Sequence, residues 1–353
     1  MPEAHTQMNA QTADRLLAGP GTEQPHALPG LARVRGLAEH PWVRFAVRRL
    51  TRLVLSVWVL VTAAFAMIHL IPGDPVRGAL GMNASQQVVN LRREQLGLND
   101  SLPTQYLRFL RHLAGGDLGT SVTNGLPVSQ VIGDRLPSTV SLAVASFLLA
   151  VVLSVPLGLG MAVLTRGGRR RRGELAFTSA SVLVAAVPEF LLAVGLVWVF
   201  GVRLAWFPVG GRGGFASYVL PVLSLAAGPA AVLARIVRIE TLSVLHTDYV
   251  RTARAKRLPP RTIYLRHALP NAVTAGLTIG GLMLSGLVAG TVLVENVFAW
   301  PGLGSTIVQS ILSKDYPVVQ GVVLVYGTGV LVVNVVVDVA LALLDPRSAI
   351  RES

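Results

Sequence analysis

The feature that most limits what this chain can become is a set of six long apolar segments. They run over Leu50–Ile71, Ser141–Leu164, Ala176–Phe200, Tyr218–Val237, Val273–Val294 and Val318–Leu344. A helix rises about 1.5 Å per residue, so about 20 residues cross a hydrocarbon core about 30 Å thick, and each segment meets that length. Within such a core the segment must satisfy its own backbone N–H and C=O groups, which selects the α-helix. Composition agrees: 52% of residues are hydrophobic and 14% charged, against about 25% charged in a soluble chain. The fourth segment is interrupted by Pro221 and Pro229 and stays helical only if neighbouring helices take up the freed carbonyls. The reading is one all-α integral membrane domain of about six transmembrane helices, although 353 residues would allow two soluble domains.

Residues 1–43, rich in Pro, Gly, Ala and polar residues without apolar periodicity, read as a disordered cytoplasmic extension. The first apolar run starts too deep for a usual leader. The membrane domain then covers 44–348, with a long link at 72–139, a basic link at 238–272 and a tail at 349–353. The long link has helix-forming stretches at Ser85–Leu96 and Pro103–Leu113, followed by Gly115, Gly116, Asp117 and Gly119; a small ordered cap is expected there.

Arginine sets the orientation. The second-to-third link carries Arg166 and Arg169–Arg172, and the fourth-to-fifth carries Arg235, Arg238, Arg251, Arg254, Lys256, Arg257, Arg261 and Arg266. The third-to-fourth link has only Arg203 and Arg212, and the fifth-to-sixth only Lys314. Short basic loops stay in the cytoplasm, which puts both termini inside; the six arginines of the long first link do not count, because long loops cross largely regardless of charge.

The same charge pattern excludes other classes. A net charge of +13 would suggest nucleic acid on a soluble protein, but here the arginines flank apolar blocks and no basic domain with stacking aromatics exists. With no cysteine, disulfides, thiol catalysis and Cys-ligated metals are out. Seven histidines are scattered singly without the HExxH spacing, so no metal site is expected. No paired-carboxylate or nucleophile–base constellation supports a membrane enzyme, so no catalytic residue is assigned. A stand-alone secondary transporter would show internal repeats, and none is convincing.

The most informative stretch is Asp248–Ala272, DYVRTARAKRLPPRTIYLRHALPNA. It reads as a short helix over Tyr249–Arg257, a turn at Leu258–Pro259–Pro260, and a second helix leading to Leu269–Pro270, with prolines ending helices and fixing φ. A rigid helix–turn–helix joined to spans at both ends can pass a partner's motion into the membrane. Its plainer alternative is a positive-inside anchor.

This stretch resembles the EAA coupling loop of ABC importer permeases, of the form EAA-x3-G-x9-I-x-L-P. The first seven positions fall on Arg251, Thr252, Ala253, Arg254, Ala255, Lys256 and Arg257; Leu258 follows, and the closing pair is Leu269–Pro270. Arg251 and Thr252 replace the Glu and first Ala, as in the dipeptide/oligopeptide/nickel branch. Arg257 stands where the pattern has glycine, a residue that supplies a turn L-residues resist. Further matches run in order along the chain: Ile71–Pro75, Leu96–Leu98, Gly116–Gly119, Arg135–Thr139, Glu295–Gly304 and Asp345–Arg347.

The resemblance implies a type I (MetI-like) ABC importer permease with an extracytoplasmic cap between helices 1 and 2. It would reside in the cytoplasmic membrane and translocate di- or oligopeptides, with nickel or another small solute as the alternative cargo. It implies a homologous second permease, two cytoplasmic ATPases and an extracytoplasmic solute-binding protein as partners. ATP and Mg would be bound by the ATPases and no cofactor by this chain, in which neither lysine lies in a GxxxxGK[ST] phosphate cradle.

Ionisable residues inside spans are costly, so each needs a role. Glu189, after Pro188, could face the pathway and meet a peptide amino group, or be satisfied by a neighbouring helix. Glu295, placed just after the fifth span at the outer interface, could line the pathway or brace the segment up to Gly304. Asn334 and Asp338, one turn apart, are expected to bond to another helix. Gly276, Gly280, Gly286 and Gly290 form two small-xxx-small pairs for close packing, against the partner permease or within the subunit. Trp42, Trp198, Trp206 and Trp300 read as interfacial anchors.

Overall fold

The computed structural model describes residues 41–70, 76–77, 85–95, 99–168 and 170–344. Most of the N-terminal extension, the Ile71–Pro75 and Leu96–Leu98 motifs, Asp345–Arg347 and the tail at 349–353 lie outside the described residues.

Long helices dominate: α1 (Pro41–Leu70), α4 (Val128–Thr165), α7 (Phe215–Leu245), α9 (Leu269–Val297) and α11 (Tyr316–Leu344). Between them lie α2 (Gln86–Gln95), α3 (Leu102–Ala114), α5 (Arg171–Ala186), α6 (Glu189–Leu196, continued by a wider π turn to Arg203), α8 (Asp248–Ala255) and α10 (Leu303–Leu312). Five helices among the described residues are long and apolar enough to cross a bilayer, and α5 with α6 makes a sixth crossing when the bent pair is counted as one span.

That sixth crossing is not straight: its halves meet at 94°. The bend sits at Val187–Pro188, where both residues take extended ψ values of 121° and 137°. A proline drives the residue before it out of the helical region. The fourth crossing carries two prolines, yet α7 runs unbroken through Pro221 and Pro229. Packing makes the difference. Half of the α7 apolar window is buried inside the protein, against 11% for α1 and α11, so α7 is the central post and its neighbours hold it helical. Residues 182–188 are exposed, so nothing opposes the preference of Pro188.

The closest approach to the post is made by α4. A Cβ on Gly158 would lie 2.5 Å from the carbonyl of Ala234 and 2.7 Å from Cβ of Val237, so the two helices touch backbone to backbone there. The main core cluster gathers Leu142, Ala193, Leu220, Leu225, Leu287, Val294, Phe298 and Trp300 from α4, α6, α7, α9 and the segment after α9. Spans five and six are tied by Ser285 Oγ donating to Asn334 Oδ1 at 2.7 Å, and Arg49 pairs with Asp338 at 2.6 Å. Asn334 and Asp338 of the sixth span thus both bond to other helices, as expected.

In the first link, α2 and α3 match the two expected stretches within a residue at each end. Helix α3 lies along the end of α1, with Tyr106 Oη 2.8 Å from Thr62 Oγ1 and the Phe65 ring edge-on to Tyr106 at 5.2 Å. At its far end the N–H of Gly119, then the His112 ring, hold the Asp117 carboxyl below its ordinary range. Asp315, buried just ahead of α11, accepts from Ser121 Oγ and from the N–H groups of Val122 and Thr123 at 3.1 and 3.3 Å. The cap is therefore fastened to the start of the sixth span.

Candidate functional site

The bundle has two polar knots at opposite ends of α9. The first is the elbow between α7 and α9. Helix α8 buries Val250 and Ala253 against Leu245, Ile263 and Ala268, with Leu258 and Tyr264 closing over them. These apolar residues recur at helical spacing, which gives an eight-residue helix a core of its own. The second arm differs from the separate helix expected to lead to Leu269–Pro270. One turn at Pro260–Thr262 and a π turn at Ile263–Ala268 lead without a break into α9. The widened turns lie just ahead of Pro270, where a proline ring crowds the carbonyl four residues back. Pro270 thus opens the span instead of ending the loop.

Arg257 decides the turn. Its φ is 54°, the left-handed conformation that glycine adopts freely. The N–H of Leu258 donates to the carbonyl of Ala253 at 3.2 Å, and that of Arg257 to Arg254 at 2.9 Å. This is the paired 6→1 and 5→2 closure of a helix C-terminus, with the apolar contact between Leu258 and Ala253 that accompanies it. The geometry a glycine would supply is kept, at a conformational cost of about 1–2 kcal/mol. Ala299 (φ 45°) closes α9 and Lys314 (φ 57°) closes α10 with the same pair of bonds.

Side chains brace the elbow to both neighbours. Asn271 Nδ2 donates to Tyr249 Oη at 3.1 Å and to the carbonyl of His267 at 2.8 Å, binding α8 to the root of α9. Arg254 Nη2 donates to the carbonyl of Leu245 at 3.1 Å. Arg166, at the end of α4, donates to Tyr264 Oη at 2.9 Å. Nearby, Arg238 of α7 has a side chain only 8% exposed and reaches Glu174 at 2.7 Å and Thr165 Oγ1 at 3.0 Å, joining spans two, three and four. From the sequence alone Arg166 and Arg238 read only as loop charges. The signal that could reveal the pair is Arg238 and Glu174, opposite charges at the ends of two apolar runs.

The elbow's candidate docking residues separate by exposure. Arg251, Thr252, Arg254, Ala255, Lys256, Arg257 and Pro270 are exposed, Leu258 and Leu269 half-buried, and Ala253 is buried in the elbow's own core. Ala253 therefore holds the elbow together and offers a partner no free surface.

The second knot favours the bracing alternative for Glu295 and corrects only its place. It lies inside the last turn of α9 and is fully buried, so it lines no pathway in this structure. Its carboxylate accepts from Thr139 Oγ1 at 2.7 Å and from the N–H groups of Gly304 and Ser305 at 2.7 and 3.1 Å. Those are two of the orphan donors at the start of α10, where negative charge is also favoured by the helix dipole. A Cβ on Gly302 or Gly304 would collide with the carboxylate, which explains the glycines of the Glu295–Gly304 stretch. Thr139 in turn accepts from the N–H of Leu303 at 2.8 Å. Trp300 is likewise no interfacial anchor: it is fully buried, stacked edge-on to Tyr218 at 4.6 Å, and donates to the carbonyl of Ser138. Trp198 and Trp206 are exposed as expected, while the side chain of Trp42 lies outside the described residues.

Glu189 stands at the bend of the third span, half-buried, its carboxylate in the notch left by Gly290. Among the described residues it has no hydrogen-bond or ion-pair partner. Of the four α9 glycines in the small-xxx-small pairs, three pack within the subunit: Gly276 against Val237, Gly280 against Leu233 and Phe147, and Gly290 against Glu189 and Leu225. Gly286 alone of the four faces open space, while Gly281, which the small-residue spacing missed, seats Val337 of α11. Among the described residues no group of His, Asp and Glu could hold a metal ion.

The family described as "Binding-protein-dependent transport system inner membrane component" matches residues 154–350, and the N-terminal part of that component matches residues 42–143. The glutathione transport system permease protein GsiC of Salmonella paratyphi A is 38% identical over 304 residues, covering 86% of this chain and 98% of its own. GsiC of Pectobacterium atrosepticum is 37% identical with the same coverage. Among solved structures, an inward-facing conformation of the MetNI methionine ABC transporter aligns with 62% of this chain and 97% of its own, at 19% identity and a TM-score of 0.48.

Proposed function

The chain belongs to the family of inner-membrane components of binding-protein-dependent transport systems, the ABC importer permeases, and from that premise we propose that it carries short peptides into the cell with ATPases docked on its elbow. Membership makes it a non-catalytic, multi-pass subunit that works with other subunits and a binding protein. The cargo reading rests on the relatives named for glutathione, a tripeptide, and on the peptide-branch motifs along the chain. A homologous second permease and two ATPases, which bind ATP and Mg, complete the assembly. Both termini lie in the cytoplasm, since the arginine-rich links are short enough to be held there.

One observation carries the docking reading. The elbow is a self-cored unit whose first arm is bonded to the root of α9 through Tyr249 and Asn271. A push on α8 therefore moves the ends of spans four and five together, and Arg166 extends the movement to span two. Nucleotide-driven closure of the ATPases favours whichever pathway conformation the elbow contacts better, by that difference in contact energy.

Ala255 gives the test, because it is exposed on α8 where Ala253 is buried. In cells expressing the whole importer, Ala255→Arg should abolish uptake of labelled glutathione while the chain inserts and the elbow stays folded. Ala253→Arg should instead unfold the elbow, read as faster proteolysis there. Normal uptake by the Ala255 variant overturns the docking reading.

A further inference from the structure

Resting on the docking reading just given, we infer that the ATPase surface receiving this elbow is acidic, and that the contact is made by carboxylates meeting a cluster of cations with no free carboxylate of its own. Six cations lie between Asp248 and His267: Arg251, Arg254, Lys256, Arg257, Arg261 and Arg266, and all six are exposed. The stretch holds one acid, Asp248, and it pairs with Arg251 at 3.4 Å. The other five have no ion pair among the described residues.

The surroundings add a further cation. Arg166 bonds to Tyr264 of the second arm, so its guanidinium joins the same field. Beyond the elbow, Glu174 is engaged by Arg238, and Glu240, half-buried in the last two turns of α7, has no ion pair among the described residues, a single carboxylate against the six exposed cations. The left-handed turn keeps Lys256 and Arg257 at the tip, because the 6→1 bond of Leu258 folds the apolar side inward and leaves the charged residues outside. A docked neutral or basic surface would strip water from these cations without replacing it, which is unfavourable. Facing carboxylates restore the lost solvation, fix register and speed encounter. The positive-inside rule accounts for basic residues near span ends, but a lipid headgroup partner would be satisfied by loops of any shape. Here the cations are mounted on a folded, braced unit.

The sequence makes the test specific. The chain has two lysines, Lys256 in the elbow and Lys314 at the other end of α9 beyond α10, and no cysteine. The complete importer in nanodiscs of neutral phosphatidylcholine would be treated with a carbodiimide, which joins a carboxylate to a lysine amine only when the two touch. In parallel, Ala255→Cys would be crosslinked to the ATPases with a thiol-to-amine reagent, and ATPase retention followed from about 50 to about 500 mM salt, where exposed charges are screened within a few Å. Expected are a carbodiimide product lost in Lys256→Arg, retention about tenfold weaker at high salt, and a similar loss at low salt in the triple variant Arg254→Glu, Lys256→Glu, Arg261→Glu. If Ala255→Cys crosslinks but no Lys256 product forms and salt changes nothing, the docking reading stands and the acidic surface is refuted. If Ala255→Cys fails to reach the ATPases, the docking reading itself falls. Should retention depend on adding anionic lipid, the cations serve the membrane and the inference is overturned.

Discussion

Replacing Glu295 separates a brace from a pathway residue. In Glu295→Ala the N–H groups of Gly304 and Ser305 lose their acceptor at a buried helix start, and Thr139 loses a short bond. An unsatisfied buried donor costs about 1–3 kcal/mol, and bonds to a charged group are worth about 1.5–3 kcal/mol each. Relief of the carboxylate's desolvation and rotation of the Thr139 hydroxyl offset part of this, leaving about 3–4 kcal/mol. At about 1.4 kcal/mol per decade, the amides of Gly304 and Ser305 should exchange about 100-fold or more faster, with a lower Tm for the purified protein. Glu295→Gln keeps one oxygen for the two N–H groups and loses the charge that favours a helix start, so about 1 kcal/mol is expected. Hydrogen exchange on the protein in nanodiscs reads both variants, with glutathione uptake measured per folded molecule. If Glu295→Gln leaves exchange unchanged yet stops uptake, the carboxylate works on the cargo and the reasoning fails. Unchanged exchange in the alanine variant would equally remove the brace.

Arg257→Gly should relieve most of the left-handed strain against the glycine's greater unfolded freedom, a net gain of about 0.5–1 kcal/mol, seen as about two- to fivefold slower exchange of the Leu258 amide. Glu174→Ala leaves the buried Arg238 with its bonds to Thr165 and no countercharge. Breaking a buried pair costs about 3–5 kcal/mol, but Glu174 is 38% exposed and solvent screens it, so about 2 kcal/mol is expected, measured as a fall in Tm that Arg238→Met partly restores.

The elbow shows how far local pattern reaches. Its first arm, its turn and its exposed cations were legible because helix spacing, the Pro259–Pro260 pair and charge are local properties. The role of Ala253 was not, since Val250, Ala253, Ile263 and Ala268 meet only after the chain reverses. Glu295 and Trp300 were misplaced for a related reason. An acid or a tryptophan at a span end normally seeks water, and only the return of Gly302–Ser305 over α9, together with Thr139 from α4, encloses them. The glycines of α9 had the spacing for a partner helix, and the partners found by three of the four belong to the same chain.

By itself the sequence determined the approximate extent of the five straight spans and of the bent α5–α6 pair, since segment length and apolarity against bilayer thickness are properties of each segment alone. It also determined the elbow's place and charge. Tertiary structure decided which prolines break: Pro188, without packing around it, bends its span by 94°, while Pro221 and Pro229 stay helical inside the central post. It also decided which buried charges are braces, because a carboxylate's role depends on donors contributed by residues far away in sequence. Solvation and packing at one position are set by the whole assembly of helices around it.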